Sequence, residues 1–439
     1  MLKGPRKKPY RLAAWAVLPF AVLASASMVY NKNMLTPDLS VSNPESRKII
    51  SKLISNQINH NIFPREILLG AEVTEKTPRY KINYTLQSDV QEHAESLLKK
   101  YKPDYAAIVM MDAKTGEILA MSSFQKADRN GTNLALKATY PAASIFKVIT
   151  AATAVDKAGV SPDHRIAFNG GNYTLYKKNV LSDHVNRWTR FITMKDAFAR
   201  SINTAFGRLS LEFIEPQDLS DYANKFYFNK EIPSDFAVET STATVPTEKG
   251  FALTEVASGY NRFNTLSPVH GAMIASAIIN DGQMPSPYLV KSIENESNES
   301  IYTGQALNQG PVITAKSALL VKQMMEQTVL TGTSRKTFRQ LIRDRKYREV
   351  EMGGKTGHFS GTNPKGRTDW FVGYASDGES KIAIATITVN IKTWTVKSSA
   401  LGEMMFREYF KTKIDEHGTL TESFENGTFR RIAKSKKRG

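Results

Sequence analysis

Strand-like sequence on both sides of a helical middle constrains this chain more than any other feature. Tyr105–Asp112 and Glu117–Ser122 are apolar, β-rich runs. Ala113-Lys114-Thr115-Gly116 joins them and supplies the glycine that a hairpin turn favours. The pattern then becomes helical. Ser144–Ala158 is one apolar stretch, and Thr193–Phe213 repeats apolar residues at spacings of three and four. Ser267–Ile279 and Ala315–Leu330 read as further helices. Strand pattern returns at Glu351–Gly357, Asp369–Ala375 and Lys381–Asn390. This order predicts an α+β or mixed fold, with an antiparallel sheet built from both ends and helices packed on it.

The chain has 439 residues, enough for one large core or two modest ones. Lys and Arg number 59 against 42 Asp and Glu, a net charge of +17. Part of the excess is local: Lys3, Arg6, Lys7, Lys8 and Arg11 crowd residues 1–11, and six basic residues lie between Arg430 and Arg438. Such runs read either as solvated tails or as attraction to an anionic surface. There is no cysteine, which excludes a disulfide scaffold, thiolate metal sites and a cysteine nucleophile.

Leu12–Tyr30 carries no charge and spans about 28 Å as a helix, one hydrocarbon thickness. With basic residues before it, it reads as a transmembrane signal-anchor that places the rest outside the cytoplasm. A cleaved signal peptide is the rival, since Ala24-Ser25-Ala26 resembles a small-residue cleavage site. Residues 31–77 read as a juxtamembrane stalk or small docking segment, with an amphipathic helix near Glu45–Asn59. The main domain is expected over 78–410, and a basic tail over 411–439.

The seven histidines are scattered without metal-ligand spacing, and no G-x-S-x-G elbow occurs, so no metal or cofactor is expected. Three short patterns remain. Ser144-Ile-Phe-Lys147 sits at an expected helix start, where i,i+3 spacing puts Lys147 on the same face as Ser144. A serine hydroxyl needs a neighbouring base, and a lysine serves if burial or a second cation lowers its pKa. Ser201-Ile-Asn203, expected inside the Thr193 helix, offers a hydroxyl and an amide. Lys355-Thr356-Gly357, on a strand, offers a second cation and close backbone approach. Singly these patterns mean little. S-x-x-K recurs at Ser96–Lys99 and Ser123–Lys126, and K-T-G recurs at Lys114–Gly116. Ser144 differs by opening a buried helix, Tyr140-Pro-Ala-Ala before it and Val148–Val155 after it.

At these residues the sequence resembles the penicillin-binding transpeptidases, whose signature is S-x-x-K, S-x-N and K-[TS]-G in that order. The three fall in order, separated by 57 and 154 residues. Ile82–Ser88, Ala107–Ala120, Leu266–His270, Gly332-Thr333 and Asp369–Tyr374 extend the likeness over roughly 78–410. It implies a penicillin-binding/β-lactamase-like fold: a central antiparallel sheet with helices on both faces, preceded by one transmembrane helix.

The resemblance also implies roles. Ser144 would attack the D-Ala-D-Ala carbonyl of a peptidoglycan stem peptide, with Lys147 as base. The N–H groups of Ser144 and His358 would form the oxyanion hole. Ser201 would relay the proton to the leaving nitrogen, Asn203 would hold the substrate amide, and Lys355 and Thr356 would fix electrostatics and the terminal carboxylate beside Gly357. Stem peptides, β-lactam antibiotics, the membrane and other cell-wall synthesis proteins are the implied partners, with no nucleic acid. The location implied is the bacterial cytoplasmic membrane, single-pass, with the catalytic domain in the periplasm or outside the cell. A D,D-carboxypeptidase and a non-catalytic penicillin-binding scaffold are the alternatives. A class A β-lactamase fits poorly, since Ser201-Ile202-Asn203 stands where that class has S-D-N. One residue departs from the family pattern: His358 stands where a Thr or Ser hydroxyl usually follows K-T-G. It either takes over carboxylate recognition or merely fills the strand edge.

Overall fold

The computed structural model describes residue 39 and residues 45–69, 78–128, 130–362 and 365–417. A five-stranded antiparallel sheet lies at its centre. Its strands are β1 (Tyr105–Asp112), β2 (Ile118–Gln125), β3 (Glu351–Thr362), β4 (Lys365–Ser376) and β5 (Lys381–Asn390). Their order is β3-β4-β5-β1-β2, so the chain's two halves meet at the β5–β1 pair. The expected hairpin is present, and Gly116 takes φ +86° in its turn, a conformation that costs glycine nothing.

Period-two alternation sends side chains to both faces, and both faces are apolar. Ala106, Ile108 and Met110 of β1 meet the helix Ser88–Tyr101 and the closing helix Ser398–His417, which supplies Leu401, Met405 and Phe406. Ala107, Val109 and Met111 face the larger core, where the helix Pro268–Ile279 is buried along its whole length. That helix lies tight on the sheet: a Cβ on Gly271 would come within 3.0 Å of the Ala385 Cβ. Helices thus cover both faces, as the resemblance implied.

Two elements lie across the expected ends of the main domain. The described residues before 78 pack on the core. The helix Ser46–Ile58 buries Ile50, Ile54 and Ile58 in it, and the strand Glu66–Leu68 pairs with Arg79–Tyr84. The i,i+4 spacing of those isoleucines gives one apolar stripe, which a free stalk would leave wet. At the other end the closing helix continues past residue 410 to His417. The expected span Leu12–Tyr30, the basic residues before it and residues 418–439 lie outside the described residues. Among the described residues, no helix is long and apolar enough to cross a membrane.

Candidate active site

Ser144 is placed by a short irregular approach. Tyr140-Pro141 pairs with Thr265-Leu266, and the Trp370 indole of β4 donates to the Pro141 carbonyl at 3.0 Å. Ala143 then takes φ +48°. The expected helix start is a 3₁₀ turn, Ala143–Phe146, followed by the α-helix Lys147–Asp156. This matters chemically. At three residues per turn, positions i and i+3 eclipse, so Lys147 stands directly over Ser144. Its Nζ lies 2.9 Å from the Ser144 Oγ.

Lys147 is fully buried and also donates to the Asn203 Oδ1 at 2.7 Å and the Ser258 carbonyl at 2.5 Å. Burial, and then the charge of Lys355, hold its pKa well below the usual lysine range. Lys355 is equally buried, and burial pushes it down to about 7. Its Nζ donates to the Ser201 Oγ at 2.9 Å and to the Thr356 carbonyl at 2.8 Å. Each amine also faces an aromatic ring, Lys147 that of Phe206 and Lys355 that of Phe198.

Ser201 does not lie inside a helix. The expected helix Thr193–Phe213 is two, Met194–Ala199 and Asn203–Phe213. Between them the Ser201 N–H bonds the Phe198 carbonyl and the Ile202 N–H bonds the Ala197 carbonyl, while Ser201 takes φ +56°. That is a Schellman ending with serine where glycine is usual. A left-handed serine costs about 1 kcal/mol, and here the break sets its hydroxyl against Lys355. Apolar periodicity runs through the break, which is why the sequence reads as one helix. Asn203 opens the next helix and donates its amide to the Tyr173 carbonyl at 2.7 Å.

The structure brings Ser144, Ser201, Asn203, Thr356 and His358 to the wall of one cleft of about 1050 Å³, with Lys147 and Lys355 buried behind it. Gly357 lies against the nucleophile's turn, where a Cβ would sit 3.4 Å from the Ala142 carbonyl oxygen. The other S-x-x-K and K-T-G copies are elsewhere. Lys99 is exposed and paired with Glu95, the Ser123 hydroxyl accepts the Leu134 N–H, and Lys114 is bound to the Glu379 carbonyl.

Sequence reasoning gave no site role to three contributors, though Thr333 and Asp369 lie in segments that carry the resemblance. The Thr333 and Thr356 hydroxyls are 2.6 Å apart. Asp369 holds His358, with Nε2 to Oδ1 at 2.7 Å. Gly259, at φ +64°, backs the nucleophile: a Cβ there would lie 1.9 Å from the Ala143 carbonyl oxygen and 3.1 Å from the Ser144 nitrogen. Gly259→Ala is therefore expected to destabilise the domain by about 3 kcal/mol and slow acylation of Ser144 by at least about tenfold. A urea titration and penicillin acylation kinetics measure the two effects. A variant unchanged in both would show that this turn has room to move.

A serine hydroxyl in contact with a buried lysine whose pKa is lowered is an arrangement that can perform serine acyl transfer, with the lysine able to act as base. The penicillin binding protein transpeptidase domain model matches residues 106–410, and the chain belongs to that family. It is 25% identical to the peptidoglycan D,D-transpeptidase PbpA of Mycolicibacterium smegmatis over 374 residues, 76% of this chain and 72% of that one. It is 24% identical to the stage V sporulation protein D of Bacillus subtilis over 291 residues, 63% of this chain but only 43% of the relative. Among solved structures, the fold matches penicillin-binding protein A of M. tuberculosis in its imipenem acyl-enzyme complex. The TM-score is 0.62 at 22% identity, over 75% of this chain and 79% of that one. A D,D-transpeptidase domain from Eggerthella lenta matches with TM-score 0.63 at 22% identity, over 76% of this chain and 84% of that one.

Proposed function

We propose that this protein is a peptidoglycan D,D-transpeptidase that acylates Ser144. The observation carrying this reading is the 2.9 Å contact between Ser144 Oγ and the fully buried Lys147 amine. Neutral Lys147 keeps two N–H groups for Asn203 and Ser258, leaving its lone pair for the serine proton. The Ser144 oxygen then attacks the penultimate D-Ala carbonyl of a stem peptide. The N–H groups of Ser144 and His358 stabilise the oxyanion. Ser201, bonded to Lys355, passes a proton to the leaving D-Ala nitrogen, and Asn203 holds the substrate amide. The paired Thr333 and Thr356 hydroxyls receive the terminal carboxylate. An amine of a second stem peptide resolves the ester and forms the cross-link, and β-lactams acylate the same serine. The uncharged Leu12–Tyr30 stretch and the basic residues before it support a membrane anchor, with the domain on the outer side of a bacterial cytoplasmic membrane. There it would work beside other cell-wall synthesis proteins.

The test is incubation of the full chain with a D-Ala-D-Ala pentapeptide and an amine acceptor. Cross-linked product is expected, with one D-Ala released per link. Released D-Ala without cross-links would make it a carboxypeptidase, and no release would refute acyl transfer on this substrate.

A further inference from the structure

His358 follows the K-T-G strand segment and lines the same cleft as Ser144. Its backbone enters beside the nucleophile, because Gly357 rests on Ala142, Ala143 and Ile145. Its cross-strand partner in β4 is Asp369, whose Oδ1 lies 2.7 Å from the imidazole Nε2. Asp369 is only 4% exposed, while the His358 side chain is 53% exposed. The carboxylate is itself fixed: its Oδ2 accepts the Ser398 N–H at 2.6 Å, and the Ser398 hydroxyl donates to the Asp369 carbonyl at 2.6 Å. Trp394 meets the imidazole at a ring distance of 5.9 Å. A side chain that merely filled the strand edge would need none of this. The close contact of Nε2 with a buried, fixed carboxylate holds the ring in place and leaves Nδ1 turned away from that carboxylate. No protein group bonds Nδ1 among the described residues.

We propose that His358, oriented by Asp369, is the proton acceptor for the amine that resolves the Ser144 acyl-enzyme. This rests on the transpeptidase reading above. The amine nitrogen bonds to the ester carbonyl carbon, and the bond from that carbon to the Ser144 Oγ breaks. Nδ1 takes the proton the amine loses and later returns it to solvent. The Ser144 oxygen regains a proton through Lys147, so the balance closes. The terminal carboxylate of the donor is left to Thr333 and Thr356. His358 is thus a catalytic residue of the second half-reaction, and Asp369 a positioning residue.

The experiment separates the half-reactions in the full chain, using a thioester donor ending in D-alanine thioester with D-alanine as acceptor. Thiol release reports acylation, and amide product reports transfer. Asp369→Asn is expected to lower transfer at least about 30-fold more than acylation. His358→Ala is expected to show the same split, with transfer restored about tenfold or more by free imidazole in the buffer. Penicillin labelling of each variant in the same sample confirms that it is folded. Equal loss in both steps, unchanged transfer, or transfer indifferent to imidazole would overturn the proposal. Loss confined to acylation would assign His358 to donor recognition and also overturn it. Failure of the unaltered chain to acylate Ser144 would instead refute the transpeptidase reading.

Discussion

Changing Lys147 to methionine is expected to lower acylation of Ser144 by penicillin about 10⁴-fold or more, close to the level left by Ser144→Ala. The expectation follows from geometry and charge together. The Lys147 nitrogen meets Ser144 Oγ, Asn203 Oδ1 and the Ser258 carbonyl oxygen. An ammonium would spend all its hydrogens on these three and have no lone pair for the serine proton. A neutral amine donates to the last two and accepts from the first. Burial and the neighbouring Lys355 charge both favour the neutral form, the form a base at this position requires. Methionine keeps the volume and removes the lone pair, so the fold should persist while the chemistry stops. Rapid-quench labelling with fluorescent penicillin measures the rate constant, and a thermal melt checks the fold. A loss under about 100-fold in a folded variant would mean that another group takes the Ser144 proton.

The parts of this site visible in the sequence are those carried by residue type at short range. Ser144 and Lys147 are three apart and one turn holds both, so spacing alone brings them together. The hairpin from Tyr105 and the all-buried helix after Ser267 announce themselves through composition and period. What depends on register or on a broken local rule is silent. Asp369 meets His358 only because β3 and β4 pair in one particular register, which no spacing of eleven residues dictates. Ser201 looks helical because nothing in Phe198–Phe206 signals a left-handed serine. Gly259 looks like an ordinary helix end, and its closeness to Ala143 is a tertiary fact. The helix Ser46–Ile58 is legible as amphipathic, but its stripe does not say what it covers. Local propensity finds the elements, while the exceptions cluster around the nucleophile.

Changing Lys355 to methionine is expected to stabilise the protein at pH 6 by about 3 kcal/mol and to slow acylation about 100-fold or more. In the unfolded chain this lysine keeps its proton up to about pH 10.4, whereas burial brings it down to about 7 in the fold. Between those values the unfolded chain binds more protons than the folded one, so stability rises with pH across that window. Below pH 7 both states carry the charge, and the fold bears the full cost of burying it, about 5 kcal/mol at 1.36 kcal/mol per pH unit. Methionine removes that cost but also the hydrogen bonds to Ser201 and the Thr356 carbonyl, worth about 1 kcal/mol each. The gain should therefore shrink as pH rises and disappear near pH 9. Acylation suffers because Ser201 loses its partner and Lys147 loses a neighbouring charge that lowers its pKa, so the acylation optimum should also move to higher pH. Urea titrations of both chains at pH 6 and 9.5, with penicillin kinetics across the same range, measure these effects. A variant less stable than the original at pH 6 would show that Lys355 is held in the fold by more than its chemistry requires. A stabilised but slow enzyme would show that the second lysine is kept against the stability of the fold, to hold the first one ready.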